Sequence, residues 1–110
     1  MKYSDQQRIE KIRETIEKLL NYVQREQITP EKICNEETIQ WTVTTPLDNI
    51  GEHVYNLSDE FKKAHPEIPW IKIAGLRYRL VHHYEDTRWI VICAIIFDVL
   101  PEFLEKIKDL

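Results

Sequence analysis

The chain has 110 residues, a length that allows one domain with a thin hydrophobic core. Its composition, 43% hydrophobic and 31% charged, is that of an ordinary globular protein, and its net charge of −4 excludes a protein that coats nucleic acid through a globally basic surface. Only two glycines occur, which excludes a glycine-rich phosphate loop and disfavours an all-β fold with many tight turns.

The first predicted helix begins at Ser4, where Ser4 and Gln7 fit a capping box. Apolar residues then recur at helical period along this helix. They are Ile9, Ile12, Ile16, Leu19, Leu20 and Val23. We expect this stripe to pack in the core.

A short helix is predicted to follow Thr29-Pro30, because threonine is a good N-cap and proline suits the first helical position. Asn35 is the predicted N-cap of the next helix. The two acidic residues after it, Glu36 and Glu37, suit the positive end of a helix dipole.

One long second helix is predicted from Asn35 onward, because apolar residues from Ile39 to Phe61 are spaced by three or four. Its expected length is about 28 residues. Pro46 lies inside it and predicts a kink near residues 42–46, or a break into two helices there.

The clearest predicted loop is residues 65–69, which contains two prolines. Pro69 can serve as the first residue of the third helix, whose apolar stripe starts at Trp70 and ends around His83 to Asp86. We expect Trp70 and Trp89 to pack in the core on either side of this segment.

Residues 89–97 form an uninterrupted apolar run after Asp86, which is the predicted cap of a fourth helix. The β-branched content would suit a strand, but a lone strand would have no partner, so helix is the preferred interpretation. Pro101 is expected to break or kink this helix, and Leu104 and Ile107 continue on a last short one. The predicted fold is all-α: an up-and-down four-helix bundle in a single domain, residues 1–110, with a short extra C-terminal helix.

The same run suggests a homodimer, because a helix that is apolar on all faces must be buried on all faces.

Nine apolar residues are too few to span a bilayer, and residues 1–11 lack a secretory pattern. Cys34 and Cys93 are interpreted as inert, reduced thiols. We therefore expect a cytoplasmic protein without a membrane segment.

The residues that could carry chemistry converge on the segment 75–86, inside a basic third of the chain. Residues 62–88 contain six basic and three acidic residues, a local charge of +3. Arginine has a permanent charge that matches phosphate, and histidine exchanges protons near neutral pH. Together Arg77 and His82 would suit cleavage of a phosphodiester. On an ideal helix they lie about 140° apart, so they can address one substrate only if the helix loosens by His82 or a second subunit closes the cleft.

Simpler interpretations of this segment stay open. Arg79 and His83 form an i, i+4 pair of a kind that is common on solvated helix faces. A metal site at His82-His83 is disfavoured, because adjacent helical side chains point about 100° apart and no HExxH or CxxC spacing is present.

Arg77-x4-His82-x-Tyr84 resembles the RX4HXY motif of the HepT-like toxins, a branch of the HEPN domain superfamily. The surrounding sequence is similar as well: residues 65–70 resemble the family's loop and helix start, and residues 73–77 the approach to its motif. Residues 50–52 resemble its mid-helix glycine and acid, and residues 100–102 its C-terminal break. The resemblance extends from the first helix to about residue 108.

The resemblance implies a homodimeric four-helix bundle whose motif residues line a cleft at the dimer interface. It implies a metal-independent endoribonuclease toxin of a type VII HEPN/MNT toxin–antitoxin system, with no cofactor, in which the ribose 2′-OH attacks the adjacent phosphate. His82 would be the general acid/base and Arg77 the phosphate stabiliser. The implied partner is a minimal nucleotidyltransferase (MNT) antitoxin that silences the toxin by AMPylation of Tyr84, since added phosphates place negative charge and bulk beside the catalytic histidine.

Two positions depart from the family pattern. The residue after the motif arginine is often asparagine in the superfamily, whereas Tyr78 stands here and cannot present an amide. His83 stands at a position where the family often has an acid, and a histidine there makes the site more basic. We expect Tyr78, Arg79, His83 and Lys72 to support the site or contact RNA. The alternative is a noncatalytic HEPN dimer module that binds a nucleotide or a partner.

Gly75 precedes the motif arginine by two residues. Its missing side chain predicts a close approach by another backbone or by a substrate.

Overall fold

The computed structural model describes residues 2–76 and 87–110, and every regular element in these two ranges is helical. The helices are α1 (Asp5–Arg25), α2 (Pro30–Asn35), α3 (Glu37–Tyr55), α4 (Asp59–Ala64), α5 (Trp70–Ala74), α6 (Trp89–Ala94) and α7 (Leu100–Ile107). A π-helical segment, Ile95–Val99, joins α6 to α7. The prediction of an all-α fold is confirmed, and the packing of α1 on α3 and of α3 on α5 is that of a helical bundle.

The first helix begins as predicted. The Ser4 hydroxyl accepts a hydrogen bond from the Gln7 backbone N–H at 3.1 Å, and the Gln7 side chain accepts one from the Ser4 N–H at 2.8 Å. These two bonds satisfy donors that would otherwise be free at a helix start. The predicted apolar stripe is buried except for Leu20, which is half-buried, and it packs against α3.

The junction between α2 and α3 corrects one predicted cap. Thr29 caps α2 as expected, since its hydroxyl accepts from the Lys32 N–H at 3.2 Å. Asn35 was expected to cap α3 but is the last residue of α2, where its side-chain amide donates to the Glu31 carbonyl at 2.8 Å. Glu36 is the N-cap residue of α3 and makes no capping side-chain bond.

The prediction of one long helix from Asn35 to beyond Phe61 is wrong. The third helix runs through Pro46 without a break and ends at Tyr55, and α4 starts four residues later, at Asp59, behind its own cap. The Ser58 hydroxyl accepts from the Phe61 N–H at 3.1 Å and donates to the Asp5 carboxylate at 2.6 Å. The chain therefore turns at Ser58, fixed by a partner at the start of α1.

The start of the third predicted helix is close to expectation. Residues 65–69 form the loop, but Pro69 is the N-cap residue of α5 and Trp70 its first residue. Gly75 ends α5 with φ −64°, and a Cβ built there would meet the Ile71 and Lys72 carbonyl oxygens at 3.5 and 3.6 Å, which is ordinary contact. Within the described residues the close approach expected at Gly75 is thus not found. The remainder of the predicted third helix lies outside the described residues.

The last helical stretch confirms helix over residues 89–97 and the short helix predicted after it, and it corrects the predicted cap at its start. Asp86 lies outside the described ranges, and the N-cap residue of α6 is Arg88. Pro101 does not break the helix. The Leu100 N–H donates to the Ile95 carbonyl five residues back, so the hydrogen-bond ladder shifts by one residue just before the proline, which has no N–H to donate.

Candidate active site

Of the predicted site residues, Lys72 lies within the described ranges and the others lie outside them. Arg77, Tyr78, Arg79, His82, His83 and Tyr84 lie outside the described residues. Lys72 is described and lies exposed on α5. The structure therefore describes the helices on either side of the motif segment, residues 77–86. These two helices, α5 before it and α6 after it, are called its anchors.

The anchor before the motif is α5, which is fixed by Trp70. This side chain is 5% exposed, its indole N–H donates to the His65 carbonyl at 3.0 Å, and its ring meets Phe103 edge-on at 5.9 Å. Ile73 and Leu76 follow on the same helical side, each 1% exposed. Three buried side chains therefore hold the backbone that leads into Arg77.

The anchor after the motif is α6, which packs against α2. Ile92 and Cys93 are buried in it, and the Cys93 thiol lies 3.6 Å from the Pro30 carbonyl, to which it donates. Burial, helped by the neighbouring Cys34 thiol, raises the pKa of Cys93 to about 11. Because the thiolate is the reactive form of cysteine, Cys93 is unreactive at neutral pH, in keeping with the interpretation of an inert thiol.

Between the two anchors lies a cavity of about 450 Å³. From α5 and its end it is lined by Ile71, Lys72, Gly75 and Leu76, and from the opposite side by Val91, Ala94, Ile95 and Val99. Ile71 is 91% exposed and Ile90, one turn before Ala94, is 69% exposed. We call Ile71, Ile90 and Ala94, with this cavity, the α5–α6 face.

Among the described residues, the α5–α6 face is apolar and Lys72 is the charged side chain that lines its cavity. In residues 2–76 and 87–110, no three His, Cys, Asp or Glu side chains are grouped so that they could hold a metal ion. The described part of the site thus offers apolar surface and a cation, and the predicted acid/base groups lie outside the described residues.

Comparison with known proteins identifies the family. The sequence model of a family described as "Ribonuclease HepT-like" matches residues 6–110. The chain belongs to the HepT-like ribonuclease family. The predicted family and the assignment to the ribonucleases are thereby confirmed.

Relatives of this HepT-like ribonuclease agree with that assignment. A protein of Thermococcus cleftensis named "Probable ribonuclease HepT" is 34% identical over 110 residues, which cover all of this chain and 98% of the relative. Two more are named as RNases on a provisional basis. One from Caldanaerobacter subterraneus is 31% identical over 76% of this chain and 74% of its own, and one from Methanocaldococcus jannaschii is 30% identical over 76% and 69%. No solved structure matches the chain significantly.

None of the described helices in this HepT-like ribonuclease is long and apolar enough to cross a membrane. The nine-residue apolar run was expected to be too short for that purpose, and it forms α6 and the first part of the π-helical segment.

A buried histidine in the HepT-like ribonuclease was missed from sequence. His53, in the last turn of α3, is 8% exposed, and its Nδ1 lies 3.1 Å from an Arg8 guanidinium nitrogen. Arginine can only donate, so Nδ1 accepts and the neutral ring carries its proton on Nε2. The Tyr3 ring meets the imidazole edge-on at 5.6 Å. The signal was available, because His53 follows Ile50 by three residues on the buried stripe of α3.

Acid is expected to destabilise the protein through His53. Burial, then the positive charges of Arg8 and Lys11, lower the pKa of His53, with Glu52 opposing them. The unfolded chain therefore takes up this proton more readily than the folded one, so the free energy of unfolding falls as the pH drops below about 6.5. Urea unfolding at pH 7.5 and 5.5 measures the difference.

The matched variant for this prediction is His53→Gln, which keeps an acceptor for Arg8 but does not titrate. Its loss of stability between pH 7.5 and 5.5 should be smaller than that of the wild type. An equal loss in the two proteins would show that other groups carry the pH dependence.

Proposed function

We propose that the chain is a metal-independent endoribonuclease toxin of a type VII HEPN/MNT toxin–antitoxin system. The toxin is a single HEPN-like domain, residues 1–110, and acts in the cytoplasm. The observation that carries the proposal is the Arg77-x4-His82-x-Tyr84 motif in a chain that belongs to the HepT-like ribonuclease family over nearly its whole length. The two buried anchors at α5 and α6 support it, because a catalytic segment needs fixed ends.

In the proposed reaction the ribose 2′-OH attacks the adjacent phosphorus while the bond to the 5′ oxygen breaks. His82 takes part as general acid/base, so the 2′-OH proton is removed and the leaving oxygen is protonated. Arg77 stabilises the negative charge that develops on the phosphate oxygens. Tyr78, Arg79, His83 and Lys72 support the site or contact RNA. Because the attacking group is the 2′-OH, DNA is not a substrate.

The active form is proposed to be a homodimer whose cleft both subunits line. Ile71 at 91% and Ile90 at 69% exposure are the most exposed large apolar side chains among the described residues, and both belong to the α5–α6 face. A second copy of the chain that covers this face would bury them and bring two motif segments together.

Regulation is proposed to occur by AMPylation of Tyr84, two residues after His82, by an MNT-family nucleotidyltransferase antitoxin. The phenolic oxygen would attack the α-phosphorus of ATP and release pyrophosphate. Each AMP unit adds a phosphodiester charge close to where the RNA phosphate must bind, so the modified protein is expected to be inactive.

The nuclease proposal is tested with purified protein, single-stranded RNA and EDTA. The wild type should cleave RNA but not DNA of the same sequence, and His82→Ala should lower kcat by about 10²–10⁴-fold. His65→Ala is the matched control, since it removes a histidine from the loop before α5 and should leave kcat within about twofold of wild type. RNA that disappears equally slowly with wild type and His82→Ala would favour the noncatalytic HEPN module.

The modification proposal has a separate test. Co-expression with the nucleotidyltransferase partner, followed by intact-mass measurement, should show additions in multiples of AMP. Tyr84→Phe should carry none, because it lacks the acceptor oxygen. Undiminished addition on Tyr84→Phe would place the acceptor elsewhere, whatever the result of the nuclease assay.

A further inference from the structure

A second cavity, of about 130 Å³, lies between the start of α5 and the C-terminal helical stretch. Its walls are formed by Pro69, Lys72, Val99, Glu102, Phe103 and Lys106. Two lysines from separate elements therefore converge on one small cavity with an apolar wall, in which Phe103 is 1% exposed. We call this cavity the Lys72–Lys106 site.

The charges around the Lys72–Lys106 site are unbalanced. Lys106 lies 3.3 Å from Glu102, one turn earlier on α7, and the Lys106 side chain is 39% exposed. Lys72 forms no ion pair with any residue that the structure describes. Two positive charges thus face one carboxylate, and a single additional negative charge would neutralise the site.

We propose that the Lys72–Lys106 site binds a backbone phosphate of the RNA, at a nucleotide that flanks the cleaved bond. A phosphodiester carries the one negative charge that the site lacks, and lysine ammonium groups bind phosphate as point charges. The proposal rests on the proposed ribonuclease function. Lys72 precedes Arg77 by five residues, so the site is next to the motif along the chain, and Lys106 adds a contact from the C-terminal helix that the motif does not supply.

The test compares two lysines of equal charge at the end of the chain, one in α7 and one just after it. Lys106 lines the site, whereas Lys108 pairs with Glu105 at 2.6 Å and, two residues further on, points about 160° away around α7. Lys106→Gln and Lys108→Gln therefore change the net charge equally. Each is made in a His82→Ala background, and binding to a fluorescent single-stranded RNA is followed by anisotropy from 50 to 200 mM salt.

Lys106→Gln and Lys72→Gln should each weaken RNA binding about two- to fivefold and flatten the slope of log affinity against log salt by about 0.7, the loss of one phosphate contact. Lys108→Gln should leave the slope unchanged. Glu102→Gln should tighten binding, because it removes the carboxylate that competes with phosphate for Lys106. Weaker RNA binding by Lys106→Gln and tighter binding by Glu102→Gln would not both follow if this ion pair had a merely structural role.

The following results distinguish a failure of the Lys72–Lys106 site from a failure of the ribonuclease proposal. If the His82→Ala parent binds RNA and Lys106→Gln behaves like Lys108→Gln in that background, the Lys72–Lys106 site is wrong, while cleavage by the wild type still supports the ribonuclease proposal. If the wild type neither binds nor cleaves RNA, both are wrong. In the cleavage assay Lys106→Gln should raise KM for a long RNA but not for a dinucleotide, which is too short to reach the site.

Discussion

Replacing Phe103 with alanine is expected to lower the free energy of unfolding by about 3–5 kcal/mol. The side chain is 1% exposed on α7 and meets the Trp70 ring edge-on at 5.9 Å, so its removal leaves a void and ends an aromatic contact. A domain of this size has about 5–15 kcal/mol of stability in total. The variant should therefore lose a large fraction of it.

Phe97→Ala is the matched control for Phe103→Ala, because it removes the same group from a half-buried position in the π-helical segment. Guanidinium unfolding should place its midpoint well above that of Phe103→Ala, at an unchanged slope. Equal midpoints would mean that burial against Trp70 does not set the contribution of Phe103. Because Trp70 also anchors the start of the motif segment, Phe103→Ala should reduce RNA cleavage even at temperatures where it stays folded.

The features predicted correctly from sequence depend on residues close together in the chain. Ser4 with Gln7, and Thr29 with Pro30, act through hydrogen bonds and dihedral preferences that span three residues, so the sequence contains all of their partners. The apolar stripe of α1 is of the same kind, because its period alone defines the buried side.

Two of the features that sequence reasoning missed involve partners far along the chain. The end of α3 is the clearest case, because the apolar spacing continues past Ser58 and gives no sign of a turn. What fixes that turn is the contact of Ser58 with Asp5, 53 residues away. The pairing of His53 with Arg8 spans 45 residues in the same way. Only the packing of α1 on α3 creates either contact.

The candidate site also combines a local sequence pattern with a cavity lined by residues far apart in the chain. Its acid/base and phosphate-binding groups rest on a local pattern, the Arg77–Tyr84 spacing, and stay a prediction because these residues lie outside the described ranges. The contribution of Lys106 could not be predicted, because Lys72 and Lys106 are 34 positions apart and only the placement of α5 against α7 brings them to one cavity.

A charge on the α5–α6 face is expected to separate the proposed dimer. Ile90→Asp should raise the dimer dissociation constant more than about hundredfold, since burying an unpaired carboxylate costs about 3 kcal/mol or more. The Ile90 side chain is 69% exposed in the single chain, so the substitution should leave the unfolding midpoint almost unchanged. Sedimentation at micromolar concentration measures the mass.

Trp41→Asp is the control for Ile90→Asp, because Trp41 is a large apolar side chain of α3 that is 53% exposed and lies outside the α5–α6 face. It should sediment as the wild type does. If the cleft is composite, Ile90→Asp should lose RNA cleavage together with its dimeric mass, and activity should rise with protein concentration as the dimer reforms. A variant that is monomeric yet cleaves RNA at the wild-type rate would show that one chain suffices for catalysis and that the apolar face serves another contact.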